Sequence, residues 1–235
     1  MLLNIKELYG SKLAAFDGDI GHVKDFYFDD ENWVIRYLVA DTGSWLTGRL
    51  VLLTPHAFGK LDQTEKTLHV KLHKKKIQDS PSIDSHKPVS RQYEIEYFGY
   101  YGWPAYWNGD AMWGISGYPI ALPPSKEEKK ESQKYKHRDD KHLRSTHAVT
   151  GYNIETVDGT IGNVCGFLVD DKSWAILELV VETGHWYAGK EILISPTKIN
   201  RISYEESKVF VNLTKEDIKQ TTENDVSKHI RRVPG

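Results

Sequence analysis

Asp17-Gly18-Asp19-Ile20-Gly21-His22-Val23-Lys24-Asp25-Phe26-Tyr27-Phe28-Asp29-Asp30-Glu31-Asn32-Trp33-Val34-Ile35 decides the fold, because its pattern returns without a gap, 141 positions on (17 to 158). The second version is Asp158-Gly159-Thr160-Ile161-Gly162-Asn163-Val164-Cys165-Gly166-Phe167-Leu168-Val169-Asp170-Asp171-Lys172-Ser173-Trp174-Ala175-Ile176. The echo continues through Leu38-Val39/Leu179-Val180, Thr42-Gly43/Thr183-Gly184, Trp45/Trp186, Gly48/Gly189, Leu52/Leu193 and Pro55/Pro196. The chain is a tandem duplication. Positions kept in both copies report what one module needs to fold, so function particular to this chain is expected outside the repeat.

Within copy one, Asp17-Gly18-Asp19 reads as a turn, and Ile20 to Phe28 alternates in the manner of a strand with a bulge or bend at Gly21. Asp29 to Asn32 is a polar turn. Trp33 to Ala40 and Arg49 to Leu53 are dense in β-branched, aromatic and aliphatic residues and read as strands, the latter ended by Pro55. Gly59 to Glu65 is polar and reads as including a tight turn, followed by a fourth strand over Thr67 to Lys71. Copy two repeats the order as Ile161–Val169, Trp174–Val181, Glu191–Ile194 and Lys208–Leu213. Short helices are expected near Lys74–Asp79 and Lys215–Gln220. Short strands between frequent turn signals predict a mainly β fold, a small antiparallel barrel or sandwich in each copy.

The 235 residues leave each copy about 75 residues, a size that buries roughly 60% of its unfolded surface, so association with a twin or another subunit is expected. The net charge of -2 gives no electrostatic case for nucleic acid or an acidic membrane. The single cysteine, Cys165, excludes an internal disulfide framework and favours a reducing, cytoplasmic compartment. The start, Met1 to Leu8, lacks the basic and apolar regions of a signal peptide, and no apolar run approaches the ~20 residues that span a bilayer. The expectation is a soluble chain, at most peripheral at the inner face of a membrane.

The turn-Gly-x-Ile-Gly-x-Val strand, the Asp-Asp turn, the Trp/Ile/Leu-Val strand and the Val-Leu-Leu-x-Pro ending resemble the PRC-barrel family. That family includes the cytoplasmic domain of the photosynthetic reaction-centre H subunit and the C-terminal domain of the ribosome maturation factor RimM. Both copies match, over about Lys6–Ser80 and His147–Thr221. The resemblance implies two small, strongly bent antiparallel β-barrels in tandem, each with a short terminal helix, used as docking platforms without catalysis. No counterpart of the H subunit's membrane helix or of RimM's N-terminal barrel is seen in the sequence, so the module transfers and those two functions do not.

The expected organisation is a first barrel over 1–80, an aromatic-rich segment over 81–122, a charged linker over 123–146, a second barrel over 147–221 and a tail over 222–235. The middle segment carries Tyr93, Tyr97, Phe98, Tyr100, Tyr101, Trp103, Tyr106, Trp107, Trp113 and Tyr118, interrupted by glycines that leave no helical period. Each large ring buried is worth roughly 1.5–3 kcal/mol, so the segment must pack on something. It either extends the core of the modules, forms a partner or self-association surface, or inserts at a membrane interface. The mixed-sign run from Pro123 to His142 reads as a solvated linker, with nucleic-acid binding disfavoured.

Chemistry finds little to stand on. The paired aspartates are better explained as turn formers than as calcium ligands. The histidines lack the spacing of a metal site, Cys165 has no base kept beside it, and there is no phosphate loop, nucleophile elbow or triad. No enzyme activity, metal or cofactor is expected. The candidate partner-binding residues are an aromatic beside a cation in each copy, Trp45 with Arg49 and Trp186 with Lys190, together with Tyr100, Tyr101, Trp103, Tyr106, Trp107 and Trp113. The expected function is a scaffold or adaptor that binds protein, acting as a dimer. The alternatives are an H-subunit-like peripheral component of a membrane electron-transport complex, and a small-ligand binder that uses the aromatic segment.

Overall fold

The computed structural model describes residues 1–81, 83, 91–107, 109–114, 116–120, 143–184 and 189–220. In copy one the strands are β1 (Leu2–Asn4), β2 (Lys12–Ala15), β3 (Gly18–Asp29), β4 (Val34–Asp41), β5 (Leu50–Leu53), β6 (Phe58–Asp62) and β7 (Thr67–Val70). Helix α1 (Ile5–Leu8) precedes β2, and α2 (Lys74–Gln78) and α3 (Arg91–Tyr101) follow β7. Next come β8 (Leu143–Ser145) and the strands of copy two: β9 (Asn153–Thr156), β10 (Gly159–Asp170), β11 (Ile176–Thr183), β12 (Glu191–Ile194), β13 (Ile199–Ser203) and β14 (Lys208–Val211). Residues 215–220 form a last helical turn.

The protein is mainly β and holds two separate sheets. One runs β5-β4-β3-β2-β7-β6, with β8 added on β3; the other repeats the path as β12-β11-β10-β9-β14-β13. The expected all-antiparallel pairing is corrected at one place in each copy, where β2 lies parallel to β7 and β9 parallel to β14. Such pairing needs a long connection, and the strands between β2 and β7 supply it. Strands β2, β6, β9 and β13 were not expected from sequence, and the tight turn expected within Gly59 to Glu65 follows β6 directly.

Two compact units result: Met1–His147 with Val169–Ala175, and Ala148–Leu168 with Ile176–Gly235. In the first, Leu13, Phe26, Phe28, Ile35, Leu38 and Leu53 form a sealed interior. Trp174 stacks on Phe26 at 6.1 Å and meets Phe58 edge-on at 4.7 Å. In the second, Ile154, Phe167, Leu179, Val181 and Val209 are the equivalent core.

The kept aspartates earn their place twice over. Asp29 accepts from the Glu31 and Asn32 amides at 2.9 and 3.0 Å, and Asp170 from the Ser173 amide at 2.8 Å, closing the β3–β4 and β10–β11 hairpins. Asp17 accepts from the Lys74 amide at 2.8 Å and Asp158 from the Lys215 amide at 3.0 Å. Each turn aspartate thus satisfies an unpaired donor at the start of its copy's terminal helix.

The kept second glycine has an equally local cause. The β2–β3 register slips between Leu13 and Ala14, opposite Gly21, and the β9–β10 register slips between Thr160 and Gly162. There φ is +120° at Gly21 and +155° at Gly162, and a Cβ would lie 2.0 Å from the carbonyl oxygen of Asp41 or Glu182. The bulge folds the strand back over its neighbour at a distance only glycine allows. Gly21→Ala and Gly162→Ala are each expected to lower unfolding stability by well over the ~1 kcal/mol of an average substitution, measured by urea denaturation.

Candidate interaction surfaces

Arg36 and Tyr37 of β4 both turn away from the sheet interior, because the β3–β4 register slips between Tyr27 and Phe28. Outside them lies α3. Its Tyr93, Tyr97 and Tyr101 recur every four residues, with ring centroids 5.9 and 4.9 Å apart. This is one face of a helix. Gly102, at φ +72°, ends it: the Gly102 and Trp103 amides both donate to the Phe98 carbonyl, and Pro104 prevents continuation. The expectation that glycines leave no period is therefore corrected over Arg91–Tyr101.

The helix is bolted to the sheet through polar groups. The Tyr97 hydroxyl donates to the Leu52 carbonyl at 2.9 Å. The Tyr37 and Tyr106 hydroxyls both donate to Glu94 Oε1, at 2.6 and 2.7 Å. Arg36, only 2% exposed, donates to Asp29 at 3.0 Å and to the Met112 carbonyl at 2.6 Å. Its guanidinium lies 3.8 Å from the Tyr106 ring centre and 5.0 Å from that of Trp113. Burial pushes the Asp29 carboxyl up, but Arg36 and the Asn32 amide outweigh it and hold the group below the usual carboxylate range.

His56 completes this cover. It is buried, stacked on Trp103 at 5.5 Å, edge-on to Trp113 at 5.1 Å, and its Nδ1 is 3.2 Å from the Thr54 hydroxyl. Burial, followed by the charge of Arg36, lowers its imidazole to about 3.

The expected site residues divide accordingly. Trp103, Tyr106 and Trp113 are buried in the first unit, while Trp45, Tyr100, Tyr101 and Trp107 are half-buried. Trp45 is met by Lys74, whose Nζ is 4.6 Å from its ring centre, rather than by Arg49. Arg49 instead donates to the Gln78 carbonyl at 2.8 Å and to the Ser80 carbonyl, at the exit of α2. Lys76 sits 4.0 Å over the Tyr100 ring and donates to the Tyr100 carbonyl. Lys190 is exposed, and Trp186 lies outside the described residues.

Copy two presents the same face without such a cover among the described residues. Leu52 is 0% exposed, whereas its counterpart Leu193 is 54% exposed; Leu177, where copy one has Arg36, is 45% exposed. Pairing of Val180 with Leu193 and of Glu182 with Glu191 places these side chains together, and both glutamates are exposed. Sequence reading missed this face, as it missed Arg36, His56 and Glu94. The available signal was the set of positions at which the copies differ: Arg36/Leu177, Tyr37/Glu178 and His56/Thr197.

A cavity at the β10–β11 bend is lined by Thr160, Ile161, Gly162, Asn163, Glu182, Thr183 and Gly184, and so offers one ionisable side chain. Among the described residues no three His, Cys, Asp or Glu side chains gather as a metal site, and no helix is long and apolar enough to cross a membrane. No family model and no curated protein matches this chain.

The buried imidazole makes stability depend on pH. The folded protein keeps His56 neutral down to about 3, whereas the unfolded chain protonates it below about 6.5, so stability falls as pH drops through that interval. His56→Phe, which keeps a ring against Trp103, is expected to flatten the loss of stability between about pH 6.5 and 4.5, where the histidine contributes up to about 1.4 kcal/mol per pH unit. Urea midpoints across that range check it; equal slopes in both proteins would place the imidazole in water.

Proposed function

We propose that the chain is a non-enzymatic scaffold or adaptor, mediating protein–protein interaction or assembly through two modules of PRC-barrel type. The bulged glycine strand, the aspartate-capped terminal helix and their repetition in both copies support that module type. The observation that carries the function is the exposed face of β11 and β12. Copy one covers the equivalent face with α3 and its aromatic continuation, while copy two leaves Leu177 and Leu193 in solvent. Exposed leucines on neighbouring strands of one sheet are what an interaction surface supplies.

The disposition of ionisable groups supports binding over catalysis. Asp29, Arg36, Tyr37, His56, Glu94, Tyr97 and Tyr106 are buried in the first unit, where each is hydrogen-bonded within the sheet and its aromatic cover. Reaction chemistry needs such groups within reach of a substrate.

The test is a photo-crosslinking amino acid placed at Leu193, with a control at exposed Thr64, in the full-length chain expressed in its source cells. A defined protein is expected to crosslink from position 193 and not from 64. The same protein should co-purify with the unsubstituted chain and be lost with Leu193→Asp. Absence of any protein specific to position 193 would remove the scaffold reading.

A further inference from the structure

Copy one shows what such a face accepts. Its sheet offers a hydroxyl donor, Tyr37, beside a cation, Arg36, that the sheet's own Asp29 neutralises, and the element laid upon it is a helix that supplies an acid, Glu94, to Tyr37 and a row of rings. Its polar contacts, Glu94 with Tyr37 and Tyr106, are buried among the rings. Tyr97 anchors it at the carbonyl of Leu52.

Copy two keeps the frame and changes its charge. Leu193 repeats Leu52, and Val180 repeats Val39, so the apolar centre is retained. At the positions of Arg36 and Tyr37 stand Leu177 and Glu178, so the cation is gone and a carboxylate has replaced a neutral donor. Glu182 and Glu191 face each other directly across the β11–β12 pair, an arrangement of like charges that destabilises a sheet left in solvent. A cation brought to them by a partner relieves that repulsion. A second copy of the same face would bring more carboxylates, so self-pairing through it is disfavoured.

Resting on the scaffold reading above, we propose that the β11–β12 face docks an amphipathic helix of another polypeptide, one with an apolar stripe flanked by lysine or arginine. The stripe covers Leu177 and Leu193, to either side of the already buried Val180, and the basic flank meets Glu182 and Glu191. The acid that α3 supplies to copy one is exchanged for a base.

The experiment uses the full-length chain and a pair of stapled model helices with the same leucine and phenylalanine stripe at i, i+4, i+7 and i+11, one flanked by lysine and one by glutamate. The lysine helix is expected to bind and to shift the methyl resonances of Leu177 and Leu193. Leu193→Asp, an exposed position at which circular dichroism should show an unchanged fold, is expected to weaken it about tenfold or more. Glu182→Lys combined with Glu191→Lys should reverse the preference between the two helices. Equal binding of both helices, binding that survives Leu193→Asp, or a dimer that Leu193→Asp dissolves would each overturn the inference. Failure of this inference is distinguishable from failure of the scaffold reading. A protein that crosslinks from position 193 through an extended or acidic segment removes the basic helix and leaves the scaffold, whereas no specific crosslink removes both.

Discussion

A buried guanidinium sets the terms for the first unit. Arg36 stands on a sheet face that would be solvated if nothing covered it, and once covered it must be neutralised and hydrogen-bonded. Asp29 supplies the charge, the Met112 carbonyl a second acceptor, and Tyr106 and Trp113 the walls. A buried ion pair adds little net stability over an apolar pair of the same shape, but losing one partner costs about 3–5 kcal/mol. Arg36 therefore makes the cover obligatory: with the aromatic segment in place the charge is satisfied, and with the segment displaced it must find water. The same logic extends to Glu94, which receives the hydroxyls of Tyr37 and Tyr106 and ties helix, sheet and continuation into one unit.

The difference between the copies follows from a few substitutions. Replacing Tyr37 by Glu178 removes a group that fastens α3, and replacing Arg36 by Leu177 removes the one that holds the aromatic segment after it, while the strands, bulges and caps remain. One duplication thus yields a module whose outer face is closed and one that, among the described residues, leaves Leu177 and Leu193 exposed. A scaffold can draw on both properties, the closed one for stability and the open one for recognition.

The sequence made the frame legible wherever a local rule was enough. Asp29 and Asp170 in their hairpins, Gly21 and Gly162 at their bulges, and the strands around Phe26 and Phe167 all follow from turn chemistry and alternation. Strands β2 and β9 were not legible because Lys12, Ala14 and Ala15 in the one and Asn153 and Glu155 in the other are types depleted in strands. Helix α3 was hidden because Gly99 lies inside it and tyrosine is a weak helix former, so its every-fourth-residue rings were masked by what surrounds them. Arg36 was passed over, since nothing within β4 announces a cover that comes from beyond α2. The face at Leu193 was legible only as a mismatch, a position kept in both copies whose contacts in copy one are made by residues outside the repeat.

The central claim is that one face is sealed and its counterpart open, and hydroxyl-radical footprinting of the full-length chain measures it most directly. Relative to the intrinsic reactivity of each side-chain type, Leu177 and Leu193 are expected to oxidise about as freely as exposed Tyr118, with Tyr97, Trp103 and Trp113 strongly protected. Oxidation of Trp103 and Trp113 as fast as Tyr118, or protection of Leu193 equal to theirs in the purified chain, would contradict it.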